Sequence, residues 1–173
     1  MKTLCIFSDS IGVGQGVSPH KSWVHLLSEY LKDWYVINAS RNGDTTRLAL
    51  ERMRFDVLSH RPNVVYIQFG MNDANVWADA NGIPRVTLFA FRFNLLEMVR
   101  RCEAIGSEVI LATNNGIRVG GMPDYNYQIE SLAKLCEVKL VKHEYKEPTL
   151  LQDGVHLSER GHQLYFEKIR GLF

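Results

Sequence analysis

The sequence of 173 residues has few cysteines, no long hydrophobic run and no excess of either charge. Cys5, Cys102 and Cys136 are odd in number and lack paired spacing, and the first two lie in apolar patterns. We therefore expect reduced thiols and a cytoplasmic protein. The apolar runs are far shorter than the roughly 20 residues of a membrane span, and the N-terminus lacks the apolar core of a signal peptide.

Blocks of charge and cofactor motifs are also missing. Twenty basic and 19 acidic residues give a net charge of +1 without a run of one sign, which argues against a nucleic acid or an anionic membrane as partner. The glycines at positions 12, 14 and 16 do not complete the G-x-G-x-x-G of a dinucleotide site, because residue 17 is valine. The six histidines show no ligand spacing for a metal. The sequence thus predicts neither a metal nor an organic cofactor.

What the sequence does contain is a regular alternation of short apolar runs and helical patterns. The apolar runs, each bounded by turn residues, predict strands at 4–7, 35–40, 63–69, 107–113 and 138–143. Helical spacing of apolar residues follows each run, with Ser18, Asp44 or Thr45, Asp124 and Ser158 as candidate caps. Strict alternation predicts a single α/β domain over 1–173, a parallel sheet covered by helices in a three-layer α/β/α sandwich.

Polar turns follow four of the predicted strands. Ser10 follows the first strand, Gly43 the second and Asn72 the third, and Asp153 and His156 lie in the long loop after the fifth. The carboxyl ends of parallel strands meet at one edge of a sheet, where ligands bind in open α/β folds. We therefore expect these side chains to gather at that edge.

These residue types are the ones that acyl transfer requires. A serine hydroxyl needs an adjacent base, and an imidazole can take its proton near pH 7 and return it to the leaving group. Asp153, three residues before His156, can hold that imidazole in one tautomer. The N–H groups of Ser10 and Gly43 and the amide of Asn72 are candidate oxyanion donors. Each residue alone is more typical of a turn or a cap.

Four blocks in order carry a resemblance to a known family. They are Ser8-Asp9-Ser10-Ile11, NASRNGDTT around Gly43, Gly-Met-Asn-Asp around Asn72, and Asp-Gly-Val-His ending at His156. In these blocks the chain resembles the SGNH subgroup of the GDSL esterases and lipases. The resemblance implies a serine hydrolase without cofactor, with Ser10, Asp153 and His156 as catalytic residues. It also implies an oxyanion hole of Ser10, Gly43 and Asn72, and a flavodoxin-like five-stranded sheet in the order 2-1-3-4-5.

Ser8 departs from the family pattern, which usually has glycine at this place. Serine is less permissive in its backbone and could slightly shift the turn that carries Ser10. Because the other parts are intact, we expect activity to persist. Ser8 also interrupts the G-x-S-x-G pattern around Ser10, which argues against the larger α/β-hydrolase fold. Asp9 is expected to brace the turn through backbone N–H groups, and Asp73 to be structural.

The expected function is hydrolysis of a carboxylic ester, with a short-chain or acetyl ester as the narrower hypothesis and a carbohydrate as a candidate alcohol. A thioesterase, lysophospholipase or acyltransferase would use the same residues. A non-catalytic carbohydrate- or nucleotide-binding domain on the same fold is the alternative from another class.

Candidate substrate contacts lie in two loops. Trp77 follows Asn72 in the loop 70–86, and its ring could stack on a sugar. Asn114, Asn115 and Arg118 lie after the fourth strand. The competing interpretation is ordinary loop polarity, with the aromatic ring packed inward.

Overall fold

The computed structural model describes residues 1–77, 80–115, 121–143 and 149–173, and its centre is a five-stranded parallel sheet. The strands are β1 (Lys2–Ser8), β2 (Trp34–Asn38), β3 (Val64–Gln68), β4 (Glu108–Ala112) and β5 (Lys139–Val141). Their order across the sheet is β2-β1-β3-β4-β5, and every pairing is parallel, as predicted.

Helices connect the strands. They are α1 (Ser10–Val13), α2 (Trp23–Tyr30), α3 (Thr46–Asp56), α4 (Met71–Ala74), α5 (Leu88–Ala104), α6 (Met122–Leu135) and α7 (Glu159–Arg170), with 3-10 turns at Pro19–Lys21 and Leu58–His60. α2 packs on α7, while α5 packs on both α3 and α6. The two groups are the outer layers of an α/β/α sandwich.

Two predicted helix starts are wrong. Asp124 lies inside the first turn of α6, whose cap is Gly121 with a φ of 76°. Ser18 makes no side-chain cap bond and precedes only a 3-10 turn; α2 is capped by Ser22, which accepts the His25 N–H. Thr45 and Ser158 cap α3 and α7 as predicted.

The centre of the sheet is buried on both faces. β1 lies between β2 and β3, with Leu4 opposite Val36 on one side and Val64 on the other. The residues from Leu4 to Phe7 have no exposed surface, which is typical of a parallel strand covered by two helical layers. The central position of β1 places its carboxyl end, and Ser10 just beyond it, in the middle of one sheet edge.

The cysteines are free thiols. Cys5 and Cys102 are buried, and burial raises the pKa of each to about 12, so both stay protonated and pack as small apolar groups. In the described ranges, no helix combines the length and the apolar character needed to span a membrane.

Candidate active site

Ser10 lies at the start of α1, directly after β1 ends. The Asp9 side chain caps this short helix by accepting the Ile11 N–H over 3.0 Å. Gly14 ends the helix with a φ of 83°, a left-handed conformation that favours glycine. The chain therefore turns sharply at the sheet edge and holds Ser10 there, only 6% exposed.

Two glycines near this turn allow close packing. A Cβ on Gly12 would overlap Ser40 Oγ and lie 2.8 Å from Ser8 Cβ, and a Cβ on Gly16 would overlap a methyl group of Leu151. These glycines let the turn approach both the end of β2 and the loop that follows β5. They serve close packing in this fold.

His156 and Asp153 form a hydrogen-bonded line with Ser10. The Nε2 atom of His156 lies 3.0 Å from Ser10 Oγ, and its Nδ1 atom lies 2.7 Å from Asp153 Oδ2. In the sheet order β5 lies three positions from β1, so the loop after β5 reaches back across the edge to bring His156 to Ser10. The structure thus brings together the three residues that the sequence singled out.

The loop that carries His156 is held by its own backbone. Leu151 N donates to the His156 carbonyl over 2.7 Å, and Ser158 N donates to the Thr149 carbonyl over 2.9 Å. Gly154 makes the turn between the two arms with a φ of 69°. The described part of the loop is therefore a narrow antiparallel structure, which limits the freedom of the imidazole.

Asp153 is a strong acceptor. Partial burial acts to raise the pKa of Asp153, but bonds from the His156 ring and from the N–H groups of Val155 and His156 outweigh it and hold the pKa at about 2. The carboxylate is therefore ionised at neutral pH and can only accept. Nδ1 of His156 then carries the proton, and Nε2 is free to accept the Ser10 hydroxyl proton.

The other two candidate oxyanion donors lie in short segments that follow β2 and β3. Asn72 is in α4, and its Nδ2 donates to Asp9 Oδ2 over 3.3 Å. Gly43 lies between β2 and α3 with a φ of 75° and open space where a Cβ would project. The Arg41 N–H, which donates to the Ser8 carbonyl over 3.1 Å, ties the Gly43 turn to the end of β1.

Asp73 links the helices that follow these turns. Its carboxylate accepts the Thr46 N–H over 2.9 Å and the Thr46 hydroxyl over 2.5 Å, which joins α4 to the first residue of α3. Asn94 Nδ2, from α5, donates to the same hydroxyl oxygen over 3.0 Å. The structural role expected for Asp73 is therefore concrete: it fixes the segment with Asn72 against the segment with Gly43.

Both carboxylates beside Asn72 are buried. Burial raises the pKa of Asp9 to about 7, with the Ile11 N–H lowering it and the nearby Asp73 and Asp44 carboxylates raising it. Burial likewise raises the pKa of Asp73 to about 6, against the lowering effect of its bonds from Thr46. The protein thus spends stability to keep two carboxylates in the interior at this edge.

Ser8 fits the turn without a left-handed backbone. It is fully buried, its φ is not positive, and its Cβ faces the space that Gly12 leaves open. The distance of 3.0 Å from Ser10 Oγ to His156 Nε2 coexists with this serine. In the described residues Ser8 Oγ has no hydrogen-bond partner.

The predicted substrate contacts differ in accessibility. Trp77 is 59% exposed, with the Arg85 guanidinium 5.3 Å from its ring centroid. Asn114 and Asn115 are buried. Arg118 lies outside the described residues.

The two asparagines support the strand ends. Asn114 Nδ2 donates to the Phe69 carbonyl over 2.7 Å, and Asn115 Oδ1 accepts the Tyr165 hydroxyl over 3.1 Å. Asn114 Oδ1 and Asn115 Nδ2 are buried and have no hydrogen-bond partner in the described part of the chain. The same ranges contain no group of three His, Cys, Asp or Glu side chains that could hold a metal ion.

His162 is a neighbour of the site that the sequence did not single out. Its Nδ1 accepts the Trp23 N–H over 3.3 Å, and Trp23 Nε1 donates to the Ile11 carbonyl over 2.9 Å. α7 is thereby joined to α2 and to the helix of Ser10. Burial and, to a smaller extent, the proximity of His156 lower the pKa of His162 to about 4. The sequence shows a histidine at this position, but Trp23 lies 139 residues away, so spacing along the chain does not reveal the contact.

Comparison with known proteins gives a family. The model described as the GDSL-like lipase/acylhydrolase family matches residues 9–164. Esterase TesA of Pseudomonas aeruginosa is 31% identical over 114 residues, 64% of this chain, and the match spans about half (53%) of that relative's length. Thioesterase 1/protease 1/lysophospholipase L1 of Escherichia coli is 29% identical over 163 residues, 89% of this chain and 74% of the relative.

Comparison with solved structures gives the same fold. The lipase/acylhydrolase of Enterococcus faecalis superposes with a TM-score of 0.83 and 26% identity, covering 99% of this chain and 95% of that one.

Proposed function

The chain belongs to the GDSL-like lipase/acylhydrolase family, and from this premise we propose that it hydrolyses carboxylic esters through an acyl-enzyme on Ser10. The observation that carries the proposal is the line from Ser10 Oγ through His156 to Asp153, with distances of 3.0 and 2.7 Å. A nucleophile, a base and a group that orients the base are the parts that such a reaction needs.

In the first half of the reaction, Ser10 Oγ attacks the acyl carbonyl carbon as its proton passes to His156 Nε2. The carbonyl oxygen becomes an oxyanion, for which the N–H groups of Ser10 and Gly43 and the Asn72 amide are the proposed donors. The C–O bond to the alcohol then breaks, and Nε2 returns the proton to the leaving oxygen. Asp153 stays ionised and stabilises the transient imidazolium.

In the second half, water attacks the acyl-enzyme and gives a proton to His156 Nε2. The carboxylic acid leaves, and Ser10 regains its proton from the same nitrogen. Every proton transfer in both halves takes place at His156 Nε2, so the 3.0 Å contact between Nε2 and Ser10 Oγ serves both halves.

For the substrate, we propose a short-chain or acetyl ester, with a carbohydrate as candidate alcohol. Trp77, which is 59% exposed and follows α4, offers an aromatic face of the kind that stacks on sugar rings. Asn114 and Asn115, which follow β4, are candidate polar contacts, as is Arg118. The name of the Escherichia coli relative favours one competitor, a thioesterase or lysophospholipase that uses the same residues.

The three free cysteines fit the cytoplasmic location proposed from the sequence, because reducing compartments keep thiols unpaired.

Steady-state hydrolysis of p-nitrophenyl esters from acetate to palmitate tests the proposal. Ser10→Ala and His156→Ala should each lower kcat/KM by at least about 10³-fold. Ser59→Ala and His60→Ala are matched controls, because both residues are exposed in the 3-10 turn before β3, at the opposite sheet edge. Equal rates for all variants would support the non-catalytic binding domain.

The same series separates the substrate classes. A maximum at acetate or butyrate, and slower hydrolysis of acyl thioesters, is expected. A maximum at long acyl chains or at thioesters would replace the short-ester proposal with the thioesterase or lysophospholipase one.

A further inference from the structure

We propose that Asp9 is a positioning residue that sets the orientation of the Asn72 amide, so that one N–H of this amide is available to an oxyanion. The inference rests on the proposed function, since it concerns the oxyanion donors of the Ser10 reaction. Asp9 itself touches no reacting atom in this account.

Asp9 uses both of its carboxylate oxygens as acceptors. Oδ1 accepts the Ile11 N–H over 3.0 Å and thereby caps α1, and Oδ2 accepts Asn72 Nδ2 over 3.3 Å. Only the first of these bonds is needed for a helix cap. The second bond reaches across 63 positions of sequence to another turn of the sheet edge.

The other side-chain caps of the same chain differ from Asp9 in chemistry. Four helices in the described ranges are capped by hydroxyl groups, from Ser22, Thr45, Thr87 and Ser158. A hydroxyl caps a helix end without placing a carboxylate in the interior. Asp9 has no exposed surface, so a carboxylate at this cap is costly and calls for a role beyond capping.

The Asn72 amide can bond to Asp9 and still offer a donor to a ligand. A primary amide has two N–H donors at one end and a carbonyl acceptor at the other. When Asp9 holds one N–H of Asn72, the second N–H remains for a ligand. When Asp9 is ionised, above its pKa of about 7, the flipped amide would set its carbonyl oxygen against the carboxylate. Two acceptors would then face each other with no proton between them, so the ionised Asp9 excludes the flipped amide, and the comparison of variants belongs at a pH above this value.

Two substitutions separate capping from positioning. Asp9→Ser keeps a hydroxyl cap of the kind used four times elsewhere but removes the second oxygen. Asp9→Asn keeps shape and cap, but its new N–H group faces Asn72 and favours the flipped amide. Positioning therefore predicts that the isosteric Asp9→Asn lowers kcat more than Asp9→Ser does, whereas a purely structural role predicts the reverse.

The test is kcat and KM on p-nitrophenyl acetate for both variants, in the wild-type and the Asn72→Ala backgrounds. We expect Asp9→Asn to lower kcat by about 10- to 100-fold with KM nearly unchanged, which is at most the smallest loss expected when an oxyanion donor is removed, and Asp9→Ser to lower it by less. In the Asn72→Ala background either change should add less than about threefold, because its target is already gone.

Losses that are equal in the two backgrounds, or a milder effect of Asp9→Asn than of Asp9→Ser, would overturn the proposal. So would failure of both variants to fold, judged by circular dichroism, because Asp9 would then serve the fold alone. If Ser10→Ala retains full activity, the proposed function itself fails, and this result is distinct from any pattern among the Asp9 variants.

Discussion

At the scale of residues, the hydrogen bonds around His156 assign each of its atoms one role. The Asp153 carboxylate accepts hydrogen bonds from Nδ1 of His156 and from the backbone N–H groups of Val155 and His156. Its pKa of about 2 keeps it ionised, and therefore an acceptor, throughout the neutral range. Nε2 is thereby left to accept from Ser10. The proposed direction of proton transfer, from Ser10 Oγ to Nε2, follows from the chemistry of this carboxylate.

Asp153→Asn should switch His156 to the other tautomer. An amide can donate to Nδ1, which places the imidazole proton on Nε2 and blocks acceptance from Ser10, so kcat should fall by roughly 10³–10⁴-fold. The measurement is kcat on p-nitrophenyl acetate, with Asp33→Asn, an exposed carboxylate before β2, as the control. A loss below tenfold would show that Asp153 does not fix the tautomer.

Asn72→Ala tests the oxyanion hole. Removing one preorganised donor should lower kcat by roughly 10²–10³-fold and leave KM almost unchanged, because the lost bond forms only in the transition state. Asn75→Ala, just beyond α4, is the control for a change in the same segment. A loss below threefold would remove Asn72 from this role.

At the scale of elements, α7 supports the loop that carries His156. Gly161, in the first turn of α7, lies so close to this loop that an added Cβ would overlap the Thr149 carbonyl oxygen and lie 3.1 Å from Leu157. The Thr149 carbonyl also accepts the Ser158 N–H that closes the base of the loop. Helix packing and imidazole position are therefore coupled.

Gly161→Ala should push the loop outward. We expect a loss of stability of about 1–3 kcal/mol from overpacking, and a fall in kcat because the contact between His156 and Ser10 lengthens. Thermal unfolding and p-nitrophenyl acetate hydrolysis are the measurements. Gly171→Ala, at the other end of α7, is the control, since its Cβ would meet nothing closer than 3.7 Å. Identical behaviour of the two variants would contradict the coupling.

At the scale of the whole molecule, buried ionisable groups act in opposite directions. Burial lowers the pKa of His143 to about 3 and that of His162 to about 4. Protonation of these two histidines at low pH therefore favours the unfolded state. Burial raises the pKa of Asp9 and Asp73 to about 7 and 6, so protonation of these groups favours the folded state. The pH dependence of the free energy of unfolding combines both effects, and comparing the wild type with a variant of one histidine separates them.

His162→Gln provides that comparison. The neutral imidazole contributes stability that is complete above its unfolded pKa, near 6.5, and is lost as the pH falls towards about 4. Glutamine can accept the Trp23 N–H but does not titrate. The wild type should therefore lose roughly 1–3 kcal/mol relative to the variant between pH 7.5 and 4.5. A stability difference independent of pH would contradict the buried neutral state.

The fold was predictable from the sequence because its signals are local. Each predicted apolar run bounded by turn residues forms a strand in the structure. The alternation of these strands with helices is compatible with few sheet topologies. The sequence is ambiguous at some helix starts. Asp124 is a residue type typical of a cap, but it lies inside the first turn of α6. Helix α4 was not predicted, because it has only four residues and no side-chain cap bond. No propensity pattern extends over so short a helix.

The site was predictable in part. Residue types and order singled out Ser10, His156 and Asp153, but the bond from Asn72 to Asp9 depends on side-chain direction between turns 63 residues apart. The same holds for Asp73 with Thr46 and for His162 with Trp23. Such contacts follow from packing, which spacing along the chain does not determine.

The most direct test of the central claim is to map the covalent adduct formed by an alkyl p-nitrophenyl phosphonate. The reagent should lose p-nitrophenol and add one phosphonyl group, found by peptide mass spectrometry on Ser10 in the wild type and in the Ser59→Ala control. Ser10→Ala should stay unlabelled, and His156→Ala should react far more slowly. An adduct on another residue, or an active protein that this reagent neither inhibits nor labels, would contradict the account.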